Sequence, residues 1–228
     1  MQELLFALPV LLFSMVAHEY AHGYAALSQG DDTALQQGRL TLNPLRHIDP
    51  FLTVLMPLML LFASGGQFVF GGAKPVPVDP RNYRDSRRGD IIVSSAGIVA
   101  NLILFAVCVV LVIGLGSLGR WVGDPAGVIS MVQHMVAWGV WLNLLLAFFN
   151  LIPIPPLDGS HLLYHLLPAA VAVKYRQFGR YGILALVLVV MVARQALYVL
   201  LTPAFALQGA ACHIMAPHAL TSITVCGL

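Results

Sequence analysis

His18, Glu19 and His22 form an HExxH pattern inside an apolar run. Four residues of α-helix turn 400° and rise about 6 Å, so both imidazoles lie on one helix face, placed to share one Zn²⁺. Glu19 sits one position round, where its carboxylate reaches a zinc-bound water rather than the metal. The competing reading is a set of satisfied polar residues, or a proton relay, in a bundle interior. A Glu flanked by two His is costly to bury inside a membrane-length helix, and this weights the pattern toward metal chemistry.

The elements that must carry this pattern are membrane elements. Of 228 residues, 59% are hydrophobic and 10% charged, against roughly 25% charged in an ordinary soluble domain. Charge-free stretches cover residues 50–73, 91–119, 125–157 and 195–228, and a spanning helix needs only about 20 apolar residues. A net charge of +2 without a basic tract gives no support for nucleic-acid binding. No Lys or Arg precedes Arg39, and Glu3 stands where a signal peptide carries a positive charge, so the N-terminal run reads as a retained helix.

Along the chain, residues 4–28 form a first helix closed by Gly30, Asp31 and Asp32. Alternation at Arg39-Leu40-Thr41-Leu42 suits a short strand, and Asn43-Pro44 a turn. Residues 50–66 are apolar but contain Pro57 and end in Gly65-Gly66, so they either span or re-enter. A Gly-, Pro- and Arg-rich surface segment leads to a helix over 91–115, with Asn101 its strongly polar residue. A polar connection at 116–127 precedes a span over 128–150. Pro153, Pro155 and Pro156 then break the helix. Residues 160–172 suit a short amphipathic helix and 181–202 a last span, in which Arg194 must snorkel or find a partner. The expected architecture is all-α and polytopic: four to five transmembrane helices, a possible re-entrant segment, and short extended elements between helices 1 and 3. One domain covers 1–202 and a tail 203–228.

Basic residues select a topology, because they concentrate in cytoplasmic loops. Five single crossings split the loop Lys and Arg eight to three; a re-entrant 50–72 segment splits them ten to one, leaving Arg120 alone opposite. The second arrangement also brings the far ends of the first and fourth helices to one side, so the re-entrant form is favoured.

A catalytic zinc needs a third protein ligand and an open position. Most acidic residues lie near helix ends or in loops, but Asp158 follows the proline-broken stretch and precedes Gly159. On spacing alone, Asp158 is equally good as a ligand and as a cap for the next helix. Cys108, Cys212 and Cys226 lack zinc-ligand spacing. Cys212 and Cys226 can pair if the tail faces an oxidising compartment, and the sequence leaves that open.

HExxH in the first helix, together with Asn150, Pro153, Pro155, Pro156, Leu157, Asp158 and Gly159, resembles the site-2 protease family of intramembrane zinc metalloproteases, most closely its compact prokaryotic members without a PDZ domain. The likeness extends over residues 13–165. It includes Thr41-Leu42-Asn43-Pro44, the Ala73 to Val78 segment and Ala96-Gly97 with Asn101. The resemblance implies that His18, His22 and Asp158 ligate one zinc, that Glu19 is general base and later acid, and that Asn150 hydrogen-bonds the substrate or developing oxyanion. It departs from the family at Gly97-Ile98, where many relatives have Gly-Pro, at Phe51-Leu52 within a DPxGT-like stretch, and at Gly72, often aromatic elsewhere. None of these is a ligand position.

The function so implied is hydrolysis of peptide bonds in or near transmembrane segments of other membrane proteins. It places a multi-pass protein in a prokaryotic cell membrane, its site within the bilayer toward the cytoplasm. Residues 38–42 or 74–78 are candidates for holding an unwound substrate by strand addition. The alternative is a non-catalytic membrane binding or regulatory protein that keeps the fold and metal, for which an intact Glu19 has no use. A transporter predicts repeats and several acidic groups along a path, and neither is visible. His47 and Asp49 read as turn-ordering residues, Asn101 as an interhelical bond, and His134, His161 and His165 as interfacial polar residues. Substrate identity and oligomeric state are not encoded in these patterns.

Overall fold

A computed structural model describes residues 2–63, 71–221 and 226. The helices in chain order are α1 (Gln2–Gln29), α2 (Thr33–Gln36), α3 (Met56–Ala63), α4 (Ser86–Val122), α5 (Val128–Asn150), α6 (Asp158–Leu166), α7 (Ala169–Phe178), α8 (Gly182–Val192) and α9 (Arg194–Met215). Among the described residues there is no strand, and five helical stretches are long and apolar enough to cross a membrane: Glu3–Gln29, Ser86–Val122, Val128–Asn150, Ala169–Val192 and Gln195–His218. The chain is thus an all-α polytopic membrane protein. It divides into two compact units, Met15–Gly97 and Met1–Ser14 with Ile98–Leu228.

In the Met15–Gly97 unit, α1 ends because Gly30 adopts φ +110°. The Gly30 N–H then reaches the Leu27 carbonyl at 3.1 Å and the Asp31 N–H the Ala26 carbonyl at 3.0 Å, the paired bonds of a Schellman stop. A Cβ at Gly30 would also sit 3.1 Å from the Asn82 carbonyl. Asp31 is fully buried and accepts from Thr33, the Asn82 amide (2.9 Å) and the Asp79 N–H (2.7 Å). Burial raises the Asp31 carboxyl, but hydrogen bonds from Asn82, Thr33 and Asp79 together hold it below the ordinary range. Apolar packing here gathers Ala25, Ala26, Tyr83 and Val93, with Ile92 and Ala96 against them, and Val16, Ala34 and Val76 are buried besides. Asp85 starts α4 by accepting from the Arg88 N–H at 2.8 Å.

The expected strand at Arg39–Leu42 does not form. The Arg39 N–H turns back to the Ala34 carbonyl (2.8 Å), the Thr41 N–H to the Arg39 carbonyl (3.0 Å), and the Thr41 carbonyl accepts from His47 Nε2 (2.8 Å), so local bonds replace a ladder. Residues 71–79 are likewise irregular, as Pro75 and Pro77 require. Pro50–Leu55 forms a π-helical run into α3. The return expected of this segment falls at 64–70, outside the described residues.

In the other unit, Val112, Ala137, Val140, Ala211, Cys212 and Met215 form the core. Buried amides cross-link its helices: Asn101 Nδ2 donates to Asn143 Oδ1 (2.8 Å), and Asn143 Nδ2 donates to Ser14 Oγ (3.0 Å) and the Gly139 carbonyl (2.8 Å). His134 Nε2 and Trp138 Nε1 lie 2.8 and 2.9 Å from Glu3 Oε2. At another end, Gln133 donates to the Val112 and His218 carbonyls and accepts from Leu220, while Arg120 donates to the Pro217 carbonyl. Cys212 and Cys226 form a disulfide with Cα atoms 5.6 Å apart.

Several boundaries differ from the sequence reading. α4 runs on to Val122, because Gly114, Gly116 and Gly119 lie in an apolar stretch that keeps the helix running, and it stops at Gly123 with φ +77°. The amphipathic helix ends at Leu166, since Pro168 disfavours helix at Leu167. The last span expected at 181–202 is interrupted at Ala193, and α9 continues through Thr202 to Met215.

Candidate metal centre

α1 presents His18 and His22 one turn apart with their Nε2 atoms 3.0 Å from each other. Two nitrogens bound to one tetrahedral zinc at about 2.0–2.1 Å lie roughly 3.3 Å apart, so the pair is spaced to share an ion. The Val93 carbonyl accepts from His22 Nδ1 at 2.7 Å. This fixes the tautomer and turns the Nε2 lone pair outward, the usual outer support of a metal-ligating His. Space for the rings comes from Gly97, where a Cβ would sit 2.5 Å from both His18 Cε1 and His22 Nε2. Donor chemistry, tautomer and the gap at Gly97 all fit zinc.

Glu19 is held separately. Its Oε2 accepts from the Val76 N–H at 2.7 Å, and the backbone of the 71–79 segment thereby fixes one carboxylate oxygen on the same helix turn as the two imidazoles.

In the other unit, Asp158 is half-buried as the first residue of α6. Leu157 takes the cap position and makes no side-chain cap bond, and Asp158 lies in the first turn. Gly159 is required by packing, since a Cβ would overlap the Leu151 carbonyl. Asn150 closes α5 and donates through Nδ2 to the Leu146 carbonyl at 2.9 Å.

Sequence reasoning missed Val93, Gly97 and Val76 as supports of the centre. Val93 and Val76 act through backbone atoms that no side-chain pattern signals. Gly97 had a signal, a glycine in mid-helix where Ala is favoured by up to about 1 kcal/mol. His47, Asp49 and Asn101 take the ordering roles expected of them: Asp49 Oδ1 accepts from the Phe51 N–H (2.9 Å), and Asn101 bonds across helices.

The sequence pattern of Peptidase family M50 matches residues 116–193. YwhC of Bacillus subtilis strain 168, named as a zinc metalloprotease, is 40% identical over 190 residues, 83% of this chain and 81% of that protein. Rip2 of Mycolicibacterium smegmatis, also named as a zinc metalloprotease, is 37% identical over 153 residues, 65% of this chain and 52% of that protein. Rip2 of Mycobacterium tuberculosis (Erdman) is 34% identical over 148 residues, 65% and 52% respectively, so the chain spans about half the length of the Rip2 proteins. No solved structure matches.

Proposed function

The chain belongs to peptidase family M50, the site-2 protease family of zinc-dependent metalloproteases, and from that premise we propose that it is an endopeptidase acting on transmembrane or membrane-proximal segments of other membrane proteins. The observation that carries this reading is the His18–His22 pair, spaced at 3.0 Å with the His22 tautomer set by Val93, in a helix of membrane-spanning length. In this reading His18, His22 and Asp158 hold one zinc. When bound, the metal supplies Lewis-acid polarisation of a carbonyl and acidifies water.

The remaining steps belong to the chain's own groups. Glu19 accepts the proton of the attacking water and returns it to the leaving amine, and its bond to the Val76 N–H keeps the carboxylate from wandering between the two events. The Asn150 amide has two N–H groups; one serves the Leu146 carbonyl, and the second is the donor offered to the substrate carbonyl oxygen as charge develops. The membrane helices exclude bulk water, and the proline-broken stretch at 153–156 is the route by which water is admitted.

We place the centre toward the cytoplasmic side. Seven of the twelve Lys and Arg lie between residues 30 and 88, in the connection that follows α1 and the first turn of α4, and the Cys212–Cys226 disulfide suits an oxidising compartment at the end of α9. The test is reconstitution in lipid vesicles with a single-span substrate and mass-spectrometric mapping of products. Zinc-dependent cleavage within or beside the span, absent in Glu19→Gln, is the expected result. A zinc-loaded wild type that cuts no span, and is indistinguishable from Glu19→Gln, would favour a binding protein that keeps the protease fold.

A further inference from the structure

The segment carrying the Val76 N–H is built to hold one conformation. Pro75 and Pro77 flank Val76, fixing their own φ and biasing Lys74 and Val76 toward extended backbone. They also remove donors, so Val76 supplies the sole backbone N–H between those of Lys74 and Val78, and it is directed at Glu19. The Val76 side chain is 6% exposed and packs where a Cβ at Gly23 of α1 would meet it at 3.0 Å.

What holds this segment in place is mostly polar. The Lys74 N–H donates to the His47 carbonyl at 2.7 Å, and beyond Val76 the Asp79 N–H donates to Asp31 at 2.7 Å. Immediately before Val76, Arg39 Nη2 donates to the Lys74 carbonyl at 3.0 Å and the Pro75 carbonyl at 3.3 Å. A guanidinium hydrogen bond to a carbonyl is charge-assisted and stronger than a neutral one, and this one grips the peptide unit that carries the Val76 N–H, through the Pro75 carbonyl, and the unit before it.

We propose that Arg39 is a positioning residue for Glu19, acting through the Lys74–Val76 backbone. The inference rests on the reading of Glu19 as the general base. A base must stand within hydrogen-bond reach of the proton it takes. Arg39 sets the peptide plane of Val76, the Val76 N–H sets one carboxylate oxygen, and the direction of the other oxygen follows. Arg39 touches neither ligand nor substrate in this account.

The test uses full-length, zinc-loaded protein in lipid vesicles, comparing wild type, Arg39→Gln, Arg39→Lys and Glu19→Gln. Turnover of a single-span substrate is read alongside hydrogen exchange of the 74–78 segment, whose two prolines leave only the Lys74, Val76 and Val78 amides. Arg39→Gln is expected to lower kcat roughly 10- to 100-fold, the scale of a misplaced catalytic group, with KM within about twofold and zinc content unchanged. Val76 exchange should rise about tenfold in the same variant, and Arg39→Lys should recover part of both. Faster Val76 exchange with unchanged kcat would overturn the proposal. So would parallel loss of kcat, zinc and thermal stability, which marks a folding role. Full turnover in Glu19→Gln would instead defeat the reading of Glu19, whatever Arg39 does.

Discussion

The Met15–Gly97 unit and the unit built from Met1–Ser14 and Ile98–Leu228 are held together by different means. The second has an extended apolar core across Val112, Ala137, Val140, Ala211 and Met215, reinforced by the buried Asn101–Asn143–Ser14 chain. Among the described residues the first gathers a shorter apolar cluster around Tyr83 and Val93, with Val16, Ala34 and Val76 buried besides. Side chains gripping backbone do the rest: Asp31 on the Asp79 N–H, Arg39 on the Lys74 carbonyl, His47 on the Thr41 carbonyl, Glu19 on the Val76 N–H. Directional bonds fix a carboxylate or an imidazole to a fraction of an ångström, whereas apolar contact is non-directional. The HExxH turn sits in the unit that is rich in such bonds.

Four variants test this contrast. Glu19→Gln should have the largest effect, a loss of activity of about 10²- to 10⁴-fold with zinc retained, read by turnover and metal analysis of the same sample. Gly97→Ala comes next, because its Cβ would sit 2.5 Å from both imidazoles; zinc affinity, measured by chelator competition, should fall about 10- to 100-fold, as when a metal-ligating His loses its support.

Asn143→Leu acts on the other unit. It removes the three hydrogen bonds described for that side chain and should cost about 1–2 kcal/mol in detergent unfolding without altering zinc affinity. If it lowers zinc affinity as strongly as Gly97→Ala, the contrast between the units fails.

Acid gives the smallest effect. The Asp31 carboxyl is held below its ordinary 3.8 in the folded chain, so the stability it contributes is full above about pH 5 and is lost as pH falls through the folded value. Unfolding midpoints between about pH 5 and pH 3 should decline in wild type and decline less in Asp31→Asn.

The helix carrying His18, Glu19 and His22 was legible because type, spacing and apolar context agree at one place. Asp158 stood out by its position after the prolines. The strand at Arg39–Leu42 was misread because alternation reports only a pattern of faces, while the local bonds of Arg39, Thr41 and His47 decide the backbone. The break at Ala193 has no Pro or Gly to announce it, and α9 runs past Pro203 because neighbouring helices and local adjustment tolerate Pro in membrane helices. The Cys212–Cys226 pairing depends on the fold of 216–220 against Gln133 and Arg120, contacts between residues far apart in sequence.

We propose that one zinc is held by His18, His22 and Asp158, with Glu19 outside the ligand set. Zinc stoichiometry and affinity of the purified chain test it most directly, in wild type, His22→Ala, Asp158→Ala and Glu19→Gln. One zinc per chain is expected in wild type and Glu19→Gln, and strongly weakened binding in His22→Ala and Asp158→Ala. Full zinc at wild-type affinity in Asp158→Ala would contradict it.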